Sequence, residues 1–199
     1  MSIVRLYRDV TAEDGTRRFE YREAWCEPGS GQFTVHHGRV GAVGTVGDQP
    51  VADDAEGEEL LAAFVAQGRE EGFAELADDA LTTLSVTYRL RGRTSTPIEA
   101  QHADALRSEI THQLAWRGLG DVEDVAEEEG RLVLIVRTPH AAKAEAEIPA
   151  AAKRAHGVQP NKVEVHRGDL RPADASAHGA ADAEADADVV DAAAETREA

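Results

Sequence analysis

The sequence predicts an α+β protein that consists of two small units and an acidic tail. In residues 1–76, strand-like alternation of apolar residues is followed by a helical apolar stripe. Residues 82–169 have the element order strand, helix, strand, strand, helix, strand. From residue 170 onward the chain consists largely of Ala, Asp and Glu. These three observations place the unit boundaries at 1–76, 82–169 and 170–199.

The first unit is predicted to contain three strands and one helix. Residues 3–10 form the first strand and 16–26 the second, in which Phe19, Tyr21 and Trp25 share one face. A third strand covers 32–37. We expect the glycines at 38, 41, 44 and 47 to make a tight, irregular return, because glycine allows positive φ and close backbone approach. The helix spans 56–72, with an apolar stripe formed by Leu60, Leu61, Phe64, Val65 and Gly68.

The second unit is predicted to be a two-layer domain with a ferredoxin-like β-α-β-β-α-β order. Its first helix begins at Thr96-Pro97, since proline favours the first turn. The apolar run 132–136 is typical of a central strand. We expect Pro149 to kink or split the second helix, which spans 141–156. The other strands are predicted at 84–90, 122–125 and 162–166, and the residues repeating along the first helix are Ile98, His102, Leu106, Ile110 and Leu114.

The charge of the chain restricts its partners. The net charge is −17 over 199 residues, with 17 acidic and 7 basic residues in 1–81 and 8 acidic and 2 basic residues in 171–199. Such a chain has no bulk attraction for nucleic acid or anionic lipid, so any phosphate contact requires a local basic patch. The tail has too few apolar residues to offset the entropy of ordering, and we predict that it is disordered.

Several classes of site are disfavoured by the residue types. The single cysteine, Cys26, excludes an internal disulfide and a multi-cysteine zinc site, which fits a reducing compartment. The histidines and acids show no metal-ligand spacing, and we find no phosphate loop or nucleophile elbow. We therefore expect a soluble, cytoplasmic protein without membrane segment, cofactor, metal or enzymatic activity. An enzyme in the cleft of the second unit is a third, less favoured alternative.

A group of short motifs in 3–76 carries a family resemblance. Arg18-Phe19-Glu20-Tyr21 is a basic-aromatic strand, and Gly38-Arg39-Val40-Gly41 is followed by Gly44. Gly72-Phe73 comes after the helix. In order and spacing this segment resembles the WGR domain, a module of poly(ADP-ribose) polymerases and of many bacterial proteins. The resemblance implies a binding module that contacts nucleic-acid ends or acts in a nucleic-acid-linked pathway.

The resemblance also implies site residues. Arg39 occupies the position of the motif arginine, and His37 that of the tryptophan that stacks on the terminal nucleotide in break-responsive members. Arg18 and Arg22 flank them. The helix end, lysine-rich in the family, here carries Glu70 and Glu71.

The residues leave alternatives open. Arg39 either contacts phosphate or a partner, or forms an ion pair with one of the many acids. His36 and His37 either act as ligands or stacking groups, or mark a strand end at which one packs and the other is exposed. They point to opposite faces of the strand, so they cannot jointly hold one metal. The runner-up function is a protein–protein interaction adaptor in which the acidic tail tunes solubility or mimics a polyanion. A basic patch, or alternatively a salt-bridged sheet face, is formed by Arg5, Arg17, Arg18, Arg22 and Arg39.

Overall fold

The computed structural model describes residues 2–171, so the tail predicted at 170–199 lies almost wholly outside the described residues. Within 2–171 the chain is mixed α/β, with two four-stranded antiparallel sheets and three α-helices. Of these helices, none has the length and apolar character required to cross a membrane.

The first sheet has the order β1-β2-β3-β4, and each strand pairs antiparallel with the next. Helix α1 follows the sheet and is capped by the side chain of Asp53, which accepts a hydrogen bond from the backbone N–H of Glu56. The elements are β1 (Ser2–Thr11), β2 (Arg17–Cys26), β3 (Gln32–Arg39), β4 (Thr45–Pro50) and α1 (Asp54–Glu70).

The fourth strand corrects the sequence prediction, which had an irregular return through Gly44 and Gly47. All six residues of β4 are exposed, so no buried face imposes an apolar alternation on them. The strand is held by its backbone pairing with β3, in a register that joins Gln32 to Pro50 and His37 to Thr45. Backbone pairing of this kind has little sequence signal.

The two faces of the first sheet have different neighbours. On one face, Ala24, Cys26 and Phe33 pack against Leu61 of α1 in a small core. We call this the α1 face. On the opposite face, Tyr7 and Tyr21 belong to the core of the second unit. We call this the inner face.

The second sheet has the order β6-β7-β5-β8, with every neighbouring pair antiparallel. Helices α2 and α3 contact each other and bury their apolar residues in the same core as the sheet. The elements are β5 (Thr82–Arg89), α2 (Pro97–Ala115), β6 (Asp121–Glu128), β7 (Arg131–Thr138), α3 (Ala141–Arg154) and β8 (Val163–Arg167).

Two details of the helices differ from prediction. Ile98 is 63% exposed, whereas Leu106, Ile110 and Leu114 are fully buried. A repeat of four residues drifts by about 40° per step on a helix of 3.6 residues per turn, which carries Ile98 off the buried face. Pro149 lies inside α3, which nevertheless continues from Ala141 to Arg154 without a split. The ring is exposed, so water can bond the carbonyl that loses its N–H partner.

The two units share one core across their junction. Tyr7, Tyr21 and Val40 of the first unit lie in the same buried cluster as the apolar residues of the second sheet. The backbone N–H of Gly41 donates to the carbonyl of Arg117 at 2.8 Å, and Lys143 Nζ donates to the carbonyl of Val40 at 2.5 Å. The loop between β3 and β4, which contains Gly41 and Gly44, therefore brings the two units into close contact.

Candidate functional site

Register places all four predicted site residues on the α1 face, since Arg39 pairs with Glu20, two residues from both Arg18 and Arg22. Arg22 and His37 are cross-strand partners, and Arg18 lies four residues before Arg22 on the same strand. His37 and Arg39 are exposed, while His36 is buried and only 2% accessible. The prediction that one of the adjacent histidines packs and the other is exposed is therefore confirmed.

Arg22 is compensated within its own unit. Its guanidinium forms an ion pair with Glu71 at 2.5 Å and stacks over the ring of Phe73 at 4.3 Å. Glu71 lies directly after helix α1, so this acid at the end of the helix has a structural role. His37 lies beside an apolar groove of about 390 Å³ between α1 and β3. Arg22 also lines this groove, together with Phe33, Val35, Leu60, Ala63, Phe64 and Gln67.

We expect the pKa of Glu71 to depend on this ion pair. Hydrogen bonds from Arg22, and then from Gln67, hold the pKa of Glu71 below its ordinary value of 4.5. A carboxylate with a lowered folded-state pKa stabilises the fold above its unfolded-state pKa, and this contribution is lost as pH falls through the folded-state pKa. Arg22→Gln is expected to raise the pKa of Glu71 in a carboxyl-resolved NMR titration. The matched variant Arg39→Gln should leave it unmoved, and an unchanged pKa in Arg22→Gln would contradict the pairing.

Arg18 and Arg39 converge on a small depression with other basic groups. The depression has a volume of about 250 Å³, and we call it the basic cleft. Arg17 is held by Asp9 at 2.5 Å. Within residues 2–171, neither Arg18 nor Arg39 takes part in an ion pair. The basic cleft is lined by Arg17, Arg18, Phe19, Arg39, Val40, His140 and Lys143.

Arg5 does not belong to the patch that the sequence suggested. It lies on the inner face, opposite Arg18 and Arg22, because its parity in β1 matches that of Glu23 in β2. Arg5 Nε donates to Glu23 at 2.9 Å, and a terminal nitrogen pairs with Asp121 at 2.8 Å. It therefore joins the two units. Its positive charge is already paired with two carboxylates, so it is not available to bind phosphate.

A further cleft among the described residues was missed by sequence reasoning. It has a volume of about 730 Å³ and lies between the inner face and helix α2. We call it the interunit cleft. Both tryptophans of the chain, Trp25 and Trp116, line it. One feature of the sequence could have indicated this cleft. Glu23 is an acid at a position where alternation along β2 places it on the same face as Phe19, Tyr21 and Trp25.

The floor of this cleft is a chain of buried polar groups. Tyr21 Oη lies 2.9 Å from His36 Nε2, and His36 Nδ1 lies 3.2 Å from the Glu23 carboxylate. Glu23 and His36 are each 2% exposed. Burial of such groups is tolerated when each has a hydrogen-bond partner, and here Arg5 continues the chain to Asp121 at the edge of β6.

The partners define where protons lie in this chain. The carboxylate of Glu23 only accepts, so His36 Nδ1 must carry a proton. His36 Nε2 then either accepts from Tyr21 or, if protonated, donates to it while the phenol donates to the carbonyl of Trp116 at 3.3 Å. Burial, and next the charge of Glu23, raise the pKa of Tyr21 above its usual range. The phenol therefore stays neutral and acts as a structural donor.

Comparison of the chain with protein-family models, curated proteins and solved structures found no match. Functional inference therefore depends on the clefts themselves. Within the described part of the chain, no group of three His, Cys, Asp or Glu side chains is placed to hold a metal ion. Cys26 is buried beneath α1, against Gly57.

Proposed function

We propose that this chain is a non-enzymatic binding module whose basic cleft contacts the phosphates of nucleic-acid ends. The observation that carries the proposal is the convergence of Arg18, Arg39 and Lys143, which form no ion pair within residues 2–171, in a chain of net charge −17. No acid is among the described residues that line this cleft. Phosphate binding needs local cations, and here they are concentrated in one place.

Two features of the fold support the fold types that this proposal assigns to the two units. An antiparallel sheet with one helix packed on it agrees with a WGR-type module for residues 1–76. The sheet order β6-β7-β5-β8, with α2 and α3 in one layer, supports a ferredoxin-like domain for residues 82–169. In this proposal Arg39 and Arg18 are the phosphate contacts. His37 offers an exposed ring for stacking on a base, and Arg22 positions the adjoining surface through Glu71.

The test measures the binding of labelled blunt, nicked and single-stranded oligonucleotides by fluorescence anisotropy over a series of salt concentrations. Affinity is expected to fall steeply with salt, and Arg39→Gln should reduce the salt slope by about 1. Arg93→Gln is the matched control, because it removes the same positive charge from an exposed position beside the β6–β7 hairpin. Flat isotherms at low salt, or equal behaviour of the two variants, would refute the proposal.

The apolar groove favours the alternative function, a protein-interaction adaptor. Val35, Leu60 and Phe64 are only half-buried in it, so an apolar side chain of a partner could be buried there. Binding of this kind should survive moderate salt and respond to Phe64→Ala rather than to Arg39→Gln.

A further inference from the structure

We propose that the interunit cleft binds a small zwitterionic aromatic molecule of the α-amino acid class. In this arrangement the ring lies against Trp25 and Trp116, the carboxylate is bound by Arg107 and the ammonium by Asp104. All four residues line the cleft. This site is separate from the basic cleft and does not depend on the proposed contact with nucleic acid.

The size and position of the cleft suit a small molecule. Its volume of about 730 Å³ falls within the range of about 300–1,000 Å³ usual for ligand pockets, which often lie between structural units. One wall is the inner face, with Ile3 and Trp25 in register, and the other is a face of α2. The two walls meet where Arg5 pairs with Asp121.

The aromatic walls favour a flat ring. Trp116 packs edge-on to His36 at a centroid distance of 4.9 Å, and its indole N–H donates to His112 Nδ1 at 3.2 Å. Its orientation is therefore fixed from two sides. Trp25 is half-buried and has no aromatic partner within residues 2–171, so its ring is available to stack with a ligand.

The charges that remain available are of both signs. The polar groups of the floor are satisfied by one another, because Glu23 is bound by Arg5 and His36. Asp104 and Arg107 lie one helical turn apart on α2, are exposed, and form no ion pair with any described residue. A simple anion would meet the carboxylate of Asp104, and a simple cation would meet the guanidinium of Arg107. A zwitterion satisfies both groups at once.

Two further donors lie at the cleft. The Nδ1 atom of His112 accepts from Trp116, so the proton of its neutral ring is on Nε2. The Nε2–H is then available as a donor for the ligand carboxylate, beside the hydroxyl of Ser108 on the same helix. These donors supplement Arg107 on the carboxylate side.

The test uses isothermal titration calorimetry of the full chain with L-tryptophan. Two analogues each lack one charge: tryptamine has no carboxylate, and indole-3-propionate has no ammonium. L-Tryptophan is expected to bind about tenfold more tightly than either, since each analogue leaves one charged group of the site unpaired. Titration with L-phenylalanine should also change the intrinsic fluorescence, because both tryptophans line the cleft.

Variants separate the two charges. Arg107→Gln should remove the preference for L-tryptophan over tryptamine, and Asp104→Asn the preference over indole-3-propionate. Both residues are exposed, so the fold should be retained, and Arg93→Gln should retain both preferences. Absence of binding up to about 1 mM, equal affinity for the three compounds, or preferences unchanged in both variants would overturn the proposal.

Discussion

Glu23→Gln is expected to destabilise the folded chain by about 3 kcal/mol or more, because it breaks a buried network by removing one charge. Glu23 is bound on one side by Arg5 and on the other by His36, and it is 2% exposed. The amide can accept from one of these groups but presents N–H donors to the other. The measurement is urea-induced unfolding followed by circular dichroism.

Glu20→Gln is the matched control for this prediction. Glu20 lies on the same strand, on the opposite face, and pairs with Arg8 at 2.6 Å in a partly exposed position. Loss of such a pair costs about 0–1 kcal/mol. Similar losses in the two variants would show that the Glu23 network contributes no more than a surface ion pair.

Much of the local structure behind this network was predictable from the sequence. The alternation of Phe19, Tyr21 and Trp25 predicted β2 and its buried face, and the adjacent histidines were assigned to opposite faces. The role of Glu23 was not predicted, because its partner Arg5 lies on another strand and Arg5 in turn pairs with Asp121 of the second unit. Pairings between segments distant in sequence leave no periodic signal.

Gly120→Ala is expected to cost about 2–5 kcal/mol. Gly120 has φ of +85°, a conformation that costs an L-residue about 1–2 kcal/mol. A Cβ at this position would also overlap the backbone carbonyl oxygen of Arg137, which cannot move without shifting β7. Overpacking of that kind adds about 1–3 kcal/mol. Thermal and urea unfolding of the variant would measure the loss.

Gly47→Ala provides the contrasting substitution. Gly47 lies in β4, has no positive φ, and has no atom within 4 Å of a Cβ built on it. The change should leave stability unchanged or raise it by about 0.4–1 kcal/mol, since alanine lowers the entropy of the unfolded chain. Equal effects of the two substitutions would mean that the turn before β6 tolerates a side chain.

The glycines also show how far the candidate site could be predicted. The sequence indicated that Gly38, Gly41 and Gly44 follow a strand at 32–37 and that Arg39 is exposed among them. In the structure β3 continues through Gly38 to Arg39, and Arg39 is exposed. It did not indicate that Gly44 approaches the Tyr21 hydroxyl, or that the backbone N–H of Gly41 donates a hydrogen bond to the carbonyl of Arg117. These contacts involve residues that are remote along the chain.

The sequence by itself determined where most strands and helices lie, because apolar periodicity, caps and turn residues act over a few residues. Only the tertiary structure decided which charges remain available. Arg22 is compensated by Glu71 and Arg5 by Asp121, whereas Arg18 and Arg39 converge with Lys143. It also brought Trp25 and Trp116 to one cleft. Ion pairing and cleft formation depend on distances between remote segments, which are set only when the two sheets and their helices pack together.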